Sequence, residues 1–281
     1  MCAMIRIYKN LSTKLSNLVN SLKTATLKIL FLSTKYSALF KSENCQLCDE
    51  ALNGNALFCA GCDQDLPRIQ TKCSVCCLPL NMAHSEFPEP RLVCGECLTS
   101  PPSFTMTICP FRYEFPINQL IRQVKYSKQR YWIKTLCLPF KQEYLLTSHN
   151  DSSAKPDVLI PIPLHKSKHK ERGYNQAELI AYTLSKNTGI AVSKDSLIKT
   201  RPTDTQAQLN KQERMKNLSG SFSISKRESK QGMLVGKHLA LIDDVMTTKA
   251  TCELASKLLL DHGAKRVDVW CLARTPKMKL H

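Results

Sequence analysis

Residues 239–251 read Leu-Ala-Leu-Ile-Asp-Asp-Val-Met-Thr-Thr-Lys-Ala-Thr, and this order of residue types determines the architecture we predict. Four apolar residues in a row are typical of a strand buried on both faces of a parallel sheet. Two adjacent carboxylates, Asp243 and Asp244, follow, then hydroxyl side chains, and then the apolar spacing of a helix. The stretch therefore predicts a strand, a loop and a helix, with the acids at the strand's carboxyl end, where open α/β sheets bind ligands.

The loop itself has the composition of an anion site. Backbone N–H groups, threonine hydroxyls and the positive end of a helix converge on an anion in such loops. Because acids repel phosphate, Asp243 and Asp244 are better suited to a sugar diol or a hydrated Mg²⁺. The alternative is an ordinary strand–turn–helix unit with a threonine-rich cap.

The flanking sequence predicts an α/β domain over residues 111–281. Apolar runs at 158–162 and 266–272 predict two more buried strands, and helical spacing recurs at 117–124, 133–140, 175–185 and 251–259. Gly263 is placed to end the last helix. Strands that alternate with helices indicate a parallel sheet flanked by helices.

Eight of the 14 cysteines form four Cys-x-x-Cys pairs, and these predict two structural zinc ions in a double zinc ribbon over residues 45–97. Two such turns complete a tetrahedral site, and eight thiolates leave no open coordination position. A disulfide framework is the alternative. Sequential pairing and cross-bracing of the turns both remain open. The metal ligands are Cys45, Cys48, Cys59, Cys62, Cys73, Cys76, Cys94 and Cys97.

Charge and hydropathy narrow the class of protein. The 281 residues contain 40 Lys and Arg against 23 Asp and Glu, a formal net charge of +17, which favours a polyanionic partner. No stretch has the ~20 apolar residues of a membrane span, and the N-terminus lacks the pattern of a signal peptide. We therefore expect a cytoplasmic protein.

Two segments lie outside the predicted modules. Residues 1–44 are predicted to be a basic extension, helical or unstructured, and the proline-containing residues 98–110 are predicted to be a linker.

Residues 239–251 resemble the signature of the type I phosphoribosyltransferases, which bind phosphoribosyl pyrophosphate (PRPP) with Mg²⁺. The resemblance implies that Asp243 and Asp244 face the ribose and that the loop surrounds the 5′-phosphate. One residue departs from the family, which usually has Gly at the position of Lys249. Lys249 either adds a charge at the phosphate or strains the loop. The loop residues are Thr247, Thr248, Lys249, Ala250 and Thr251.

The whole chain from about residue 45 to 275 resembles the ComF family of competence proteins, which join a double zinc ribbon to a phosphoribosyltransferase-like domain. Besides the cysteine pairs and the acid loop, the resemblance rests on residues 158–180 and on Arg201, Gln206, Leu209, Arg214, Asn217 and Phe222. It implies a role for Arg172 in catalysis and for Lys170, Asn175 and Gln176 in ligand binding. A solvent-exposed basic loop is the alternative for the segment that carries Lys170.

The family is linked to natural transformation, so the resemblance also implies that the protein handles imported single-stranded DNA. Basic residues interleaved with Tyr126, Tyr131 and Trp132 suit a single strand, because bases stack and phosphates pair with cations. A solvent-facing lysine row over packed aromatics is the alternative. The predicted DNA-binding residues are Arg122, Lys125, Lys128 and Arg130.

Three functions follow from these features. The first is a ComF-like protein that handles single-stranded DNA, binds PRPP and meets DNA-uptake or recombination proteins. The second is an active phosphoribosyltransferase, for which the sequence identifies no acceptor. The third is a zinc-ribbon scaffold for a protein partner.

Overall fold

The structure is a computed structural model that describes residues 44–52, 57–80, 92–149, 155–201 and 220–277. The predicted basic extension lies outside these residues, except for Asn44. The chain divides into two compact units, one up to Asp65 and one from Leu66 onward. In the first unit, helix α1 spans Ala60–Gln64 and begins after Cys59.

The second unit is an α/β domain with a six-stranded sheet. The strand order is β1–β8–β7–β3–β4, and β2 also pairs with β8. All these pairings are parallel, which confirms the predicted parallel sheet. The strands are β1 (Thr107–Ile108), β2 (Phe111–Arg112), β3 (Val158–Pro161), β4 (Ala191–Val192), β7 (His238–Met246) and β8 (Arg266–Arg274), while β5 (Leu197–Lys199) and β6 (Phe222–Ile224) form a separate antiparallel pair.

The helices of the second unit are α2 (Gly95–Thr99), α3 (Ile117–Tyr126), α4 (Trp132–His149), α5 (Lys166–Arg172), α6 (Gln176–Thr188), α7 (Lys226–Gln231) and α8 (Ala250–Asp261). Of these, α3, α4, α6 and α8 lie where the apolar spacing predicts helices. Gly263 has φ of +91°, which confirms it as the residue that follows the end of α8. Among the described helices, none combines the length and the apolar character that a membrane crossing requires.

Alternating residues of β7 and β8 face two different layers. Ala240, Ile242 and Trp270 are buried on one side, and there the Trp270 ring packs against the rings of Phe140 and Tyr144 in α4. On the other side, Leu239 and Leu241 belong to a core that includes α8 and the cysteines from Cys73 to Cys97. The sheet is therefore covered on both faces.

Two segments differ from the sequence-based expectation. Thr107 and Ile108, within the predicted linker 98–110, form strand β1 against β8, because the apolar edge of β8 provides a pairing partner. The basic segment after β3 is helix α5, capped by the imidazole of His165 and ended by Gly173 at φ of +76°. The predicted boundaries at residues 45, 98 and 111 stay predictions, and the compact units divide between Asp65 and Leu66.

Candidate functional site

The acid pair lies at the point where the strand order of the sheet reverses. The chain leaves β3 toward β4 on one side and leaves β7 toward β8 on the other, so a crevice opens between the carboxyl ends of β3 and β7. Pairing of β3 with β7 stops at Pro161 opposite Ile242. Asp243 and Asp244 are the next two residues of β7, and they border this crevice.

The buried position of Asp243 beside Asp244 raises its proton affinity. Burial, followed by the charge of Asp244, raises the pKa of Asp243 from 3.8 to about 7, although Lys125 and Lys199 act in the opposite direction. The backbone N–H of Asp244 donates to the Asp243 carboxylate over 2.9 Å. A ligand hydroxyl that donates to these carboxylates, or a metal cation, would stabilise their charged form.

Lys125, predicted to bind DNA, lies instead in the ligand crevice. Its ammonium is 2.8 Å from Oδ2 of Asp244, with the two side chains only 19% and 14% exposed. Burial lowers the pKa of Lys125, but the neighbouring Asp244 more than offsets this, so the pKa is raised. A cation held this tightly by a site carboxylate belongs to the site and not to an open DNA surface.

The loop after β7 leads directly into α8, a helix of 12 residues whose first residue is Ala250. Thr247 is exposed, Thr248 and Thr251 are half-buried and Ala250 is buried. The loop therefore offers hydroxyls and free helix N–H groups to an anion at the crevice.

Lys249 fits neither of the two roles expected from the sequence, a charge at the phosphate or a strained loop. Its φ is −72°, in the right-handed helical region, so the residue causes no backbone strain. Its ammonium contacts Sγ of Cys97 at 3.4 Å and Oε1 of Glu96 at 3.7 Å. The expectation of a charge on the 5′-phosphate is therefore corrected: the side chain is committed to the cysteine side of the core.

In the motif around Arg172, some side chains stabilise the fold and others have donors that could bind a ligand. The Asn175 side chain caps α6 at the N–H of Ala177 and donates to the carbonyl of Ile162, so its observed role is structural. Arg172 donates to the Gln176 side chain and lies over the Tyr126 ring at 5.3 Å. Within the described residues, Nε of Arg172 and Nε2 of Gln176 are buried donors without a hydrogen-bond partner.

The remaining predicted cations are at the surface. Lys170 is exposed on α5. Arg122 is exposed within α3, and Lys128 and Arg130 are exposed beyond its end. The guanidinium of Arg130 lies 4.2 Å from the centre of the Tyr174 ring. These three remain the candidates for contact with DNA phosphates.

The eight paired cysteines form two groups in sequential order. The first cysteine cluster is Cys45, Cys48, Cys59 and Cys62, and the second is Cys73, Cys76, Cys94 and Cys97. Within each cluster all four sulfur atoms lie within 4.8 Å of one another. The sequential arrangement is therefore the one observed, and cross-bracing is not.

The sulfur geometry fits a tetrahedral metal. A Zn–S distance of ~2.3 Å implies sulfur–sulfur edges of about 3.8 Å. Sγ of Cys48 is 3.6 Å from Sγ of Cys59, and Sγ of Cys76 is 3.7 Å from Sγ of Cys94. Both clusters are compatible with structural zinc. They differ in burial, because all four cysteines of the second cluster are buried whereas Cys48 in the first is exposed.

Comparison with known proteins identifies the relatives of this chain. None of the protein-family models scanned matches it. It is 32% identical over 232 residues to "DNA utilization protein YhgH" of Escherichia coli strain K12, which covers 82% of this chain and 96% of the relative. It is 31% identical over 219 residues to "Competence protein F" of Haemophilus influenzae, which covers 77% and 90%. The chain belongs to the ComF family.

This ComF protein has more partial matches as well. It is 36% identical over 137 residues to "Competence protein ComFC" of Bacillus subtilis, which covers 48% of this chain and 52% of that one. Among solved structures, a purine phosphoribosyltransferase from Pyrococcus horikoshii Ot3 is 21% identical with a TM-score of 0.29, covering 49% of this chain and 73% of that chain.

Lys199 was missed by the sequence analysis, whereas Lys168 lies in the basic segment that it singled out. The charges of Lys199 and Asp243 act on each other, and those of Lys199 and Lys168 do as well. Burial and the nearby Lys168 lower the pKa of Lys199. Lys199 lies in β5, whose three residues are too few to carry a periodic strand signal, so the sequence did not indicate that its charge acts on Asp243.

The acid pair predicts a pH dependence of stability. The Asp243 carboxyl binds a proton near pH 7 in the folded protein and near pH 3.8 when unfolded, so the folded parent gains stability as pH falls from 8 to 5. Asp243→Asn removes this dependence. We expect the variant to be about 1–3 kcal/mol more stable than the parent at pH 8. This stability difference is smaller than ~1.4 kcal/mol for each unit of pKa difference, because solvent reaches part of the carboxylate.

Urea unfolding at pH 5 and pH 8 measures this difference. At pH 5 the two proteins should agree closely, because Asn resembles the protonated carboxyl. A variant less stable than the parent at pH 8 would contradict the assigned electrostatics.

Proposed function

We propose that the crevice between β3 and β7 binds PRPP with Mg²⁺. The ribose hydroxyls would contact Asp243 and Asp244, and the 5′-phosphate would lie against the loop 247–251 at the start of α8. The observation that carries this proposal is the position of the acid pair: two carboxylates directly past the end of the β3–β7 ladder, followed by a hydroxyl-rich loop and a helix.

The cations around the crevice support a ligand with a diphosphate. The charge of Lys199 acts on Asp243, and the charge of Lys168 acts on Lys199. Arg172 carries a buried donor that has no hydrogen-bond partner in the described part of the chain. Such groups stabilise negative charge in a partly buried site. Lys125 balances Asp244 before the ligand arrives. Mg²⁺ would compete with this lysine for the carboxylate.

Calorimetric titration with PRPP and Mg²⁺ tests the proposal. We expect saturable binding with one ligand per chain. Ribose 5-phosphate and pyrophosphate, each containing only part of the ligand, should bind more weakly because each leaves part of the site unused. Because the binding enthalpy can be zero at one temperature, the titration is run at two temperatures. Absence of binding heat with PRPP at both would refute the proposal.

We also propose that each cysteine cluster holds one structural zinc ion. The sulfur spacing supports this, and N–H groups donate to the sulfurs: that of Cys62 to Sγ of Cys59, and that of Cys94 to Sγ of Cys73. Such bonds stabilise metal-bound thiolates. Elemental analysis should give two zinc ions per chain, and a value below one would refute the proposal.

A second proposed function is the handling of imported single-stranded DNA in the cytosol, together with uptake or recombination proteins. The observation in its favour is a surface that combines cations with an exposed aromatic ring. The Tyr126 side chain is 65% exposed, Arg172 lies over its ring, and Arg122, Lys128 and Arg130 are exposed near it in sequence. Exposed rings stack with bases while cations pair with phosphates.

Salt dependence distinguishes this surface from general charge attraction. Each phosphate contact contributes ~0.7 to the slope of log K against log salt for a single strand. Changing Arg122, Lys128 and Arg130 together to Gln should lower the slope by up to about 2 in fluorescence anisotropy with an oligonucleotide. A matched control changes three other exposed lysines, Lys226, Lys237 and Lys257. Equal slopes for the two triple variants would place DNA binding elsewhere.

A further inference from the structure

A buried lysine joins the second cysteine cluster to the loop after β7. The Lys249 side chain is 9% exposed, with its ammonium 3.4 Å from Sγ of Cys97 and 3.7 Å from Oε1 of Glu96. Its backbone is the N-terminal cap of α8, directly after Thr247 and Thr248. Four thiolates outweigh the charge of Zn²⁺, so a zinc-loaded cluster is negative and a buried ammonium compensates it.

A buried arginine makes a second connection between the same two parts. Arg274 is 4% exposed, at the end of β8. Its Nε donates to the carbonyl of Cys76 at 3.1 Å. Its Nη1 donates to the carbonyls of Met246 at 2.8 Å and Thr247 at 2.9 Å. One guanidinium thus holds both a Cys-x-x-Cys turn and the start of the loop.

We propose that the second cysteine cluster positions the loop 247–251 through Lys249 and Arg274, so that metal occupancy and ligand binding are coupled. Lys249 is a positioning residue in this arrangement, with its side chain on the metal site and its backbone in the loop. The identity of the ligand rests on the proposed function, whereas the link between cluster and loop does not. Coupling between two binding sites is reciprocal for their affinities, so a ligand that orders the loop also raises the affinity of the cluster for the metal.

The first experiment needs no PRPP. Zinc release from the full chain to a chromogenic chelator is followed over time. The kinetic phase that Cys48→Ser removes is assigned to the first cysteine cluster, and the remaining phase to the second. Lys249→Met should speed release from the second cluster about tenfold, the scale of second-shell substitutions. Hydrogen exchange of the amides at 246–251 should accelerate in the same variant, because the loop loses its anchor.

Two variants separate this role from a general packing effect. Lys249→Arg keeps the charge and should restore slow zinc release and slow exchange toward the parent. Lys257→Met changes an exposed lysine of the same helix and should leave both unchanged. If Lys249→Met does not fold, Lys249→Gln provides the comparison, because it keeps hydrogen-bonding capacity without charge.

The second experiment tests reciprocity with PRPP and Mg²⁺ as the probe. Saturating PRPP should raise the affinity of the second cluster for zinc several-fold in the parent, measured by equilibrium competition with the chelator, and should have a smaller effect in Lys249→Met. Failure of the parent to bind PRPP would refute the proposed function, while the unliganded exchange experiment still decides the link. Unchanged loop exchange in Lys249→Met, or in Lys249→Gln if that variant is needed, would overturn the link, even if zinc release were faster. If PRPP binds but leaves the zinc affinity of the second cluster unchanged, the coupling is overturned.

Discussion

Loss of metal from the second cysteine cluster should unfold the unit that begins at Leu66. All four of its cysteines are buried and share one core with Ile160, Leu239 and Leu241 of the central strands. Structural zinc contributes about 10–16 kcal/mol in small sites, which is comparable with the ~5–15 kcal/mol stability of an entire domain. Cys73→Ser with Cys76→Ser should therefore abolish the cooperative unfolding transition of this unit.

The first cluster supplies the matched control. Cys45→Ser with Cys48→Ser removes the same two ligand types from the other compact unit, so we expect the transition of the second unit to persist. Both tryptophans of the chain, Trp132 and Trp270, lie in the second unit. Their fluorescence during urea unfolding therefore reports that unit alone. A parent-like midpoint in the Cys73 and Cys76 variant would contradict the structural role of the second cluster.

Replacing Asp243 and Asp244 together by Asn should lower the affinity for PRPP by more than about 100-fold. Hydrogen bonds to charged groups contribute about 1.5–3 kcal/mol each, and ~1.4 kcal/mol corresponds to a factor of ten. Asn is preferable to Ala here because its amide oxygen still accepts from the Lys125 ammonium, which would otherwise lose its partner. The fold should survive, since the lost contacts are those to the ligand.

The control removes two carboxylates of equal charge outside the crevice. Asp195 and Asp261 are both exposed, so Asp195→Asn with Asp261→Asn should bind PRPP like the parent. Calorimetry of both double variants gives the comparison. Equal affinities in the two would show that the acid pair does not contact the ligand.

Much of the fold follows from the sequence because its apolar runs are unambiguous. The runs that form β3, β7 and β8 are buried nearly throughout, and burial on both faces requires the continuous apolar pattern that predicts them. The β5–β6 pair escaped prediction because its strands have three residues each, of which only the first is buried. Strands this short carry little periodic signal.

In the candidate site, the positions of the carboxylates could be predicted from the sequence, but the partners of the lysines could not. Asp243 and Asp244 are short side chains at a strand end, so their position follows from the backbone. Lys125, Lys199 and Lys249 reach their partners through long side chains, and tertiary packing decides which partner each one meets. Sequence spacing therefore predicted that the acids lie at the carboxyl end of a strand, as observed, but it did not predict that Lys125 contacts Asp244 or that Lys249 contacts Cys97.

Difference electron density from crystals of the protein with PRPP and Mg²⁺ tests the central claim most directly. We predict density for one ligand in the crevice between β3 and β7, with the ribose hydroxyls on Asp243 and Asp244 and the 5′-phosphate against residues 247–251. The ammonium of Lys249 should remain on Cys97. Ligand density elsewhere on the chain, with the acid pair still bound to Lys125 and the crevice empty, would contradict the account.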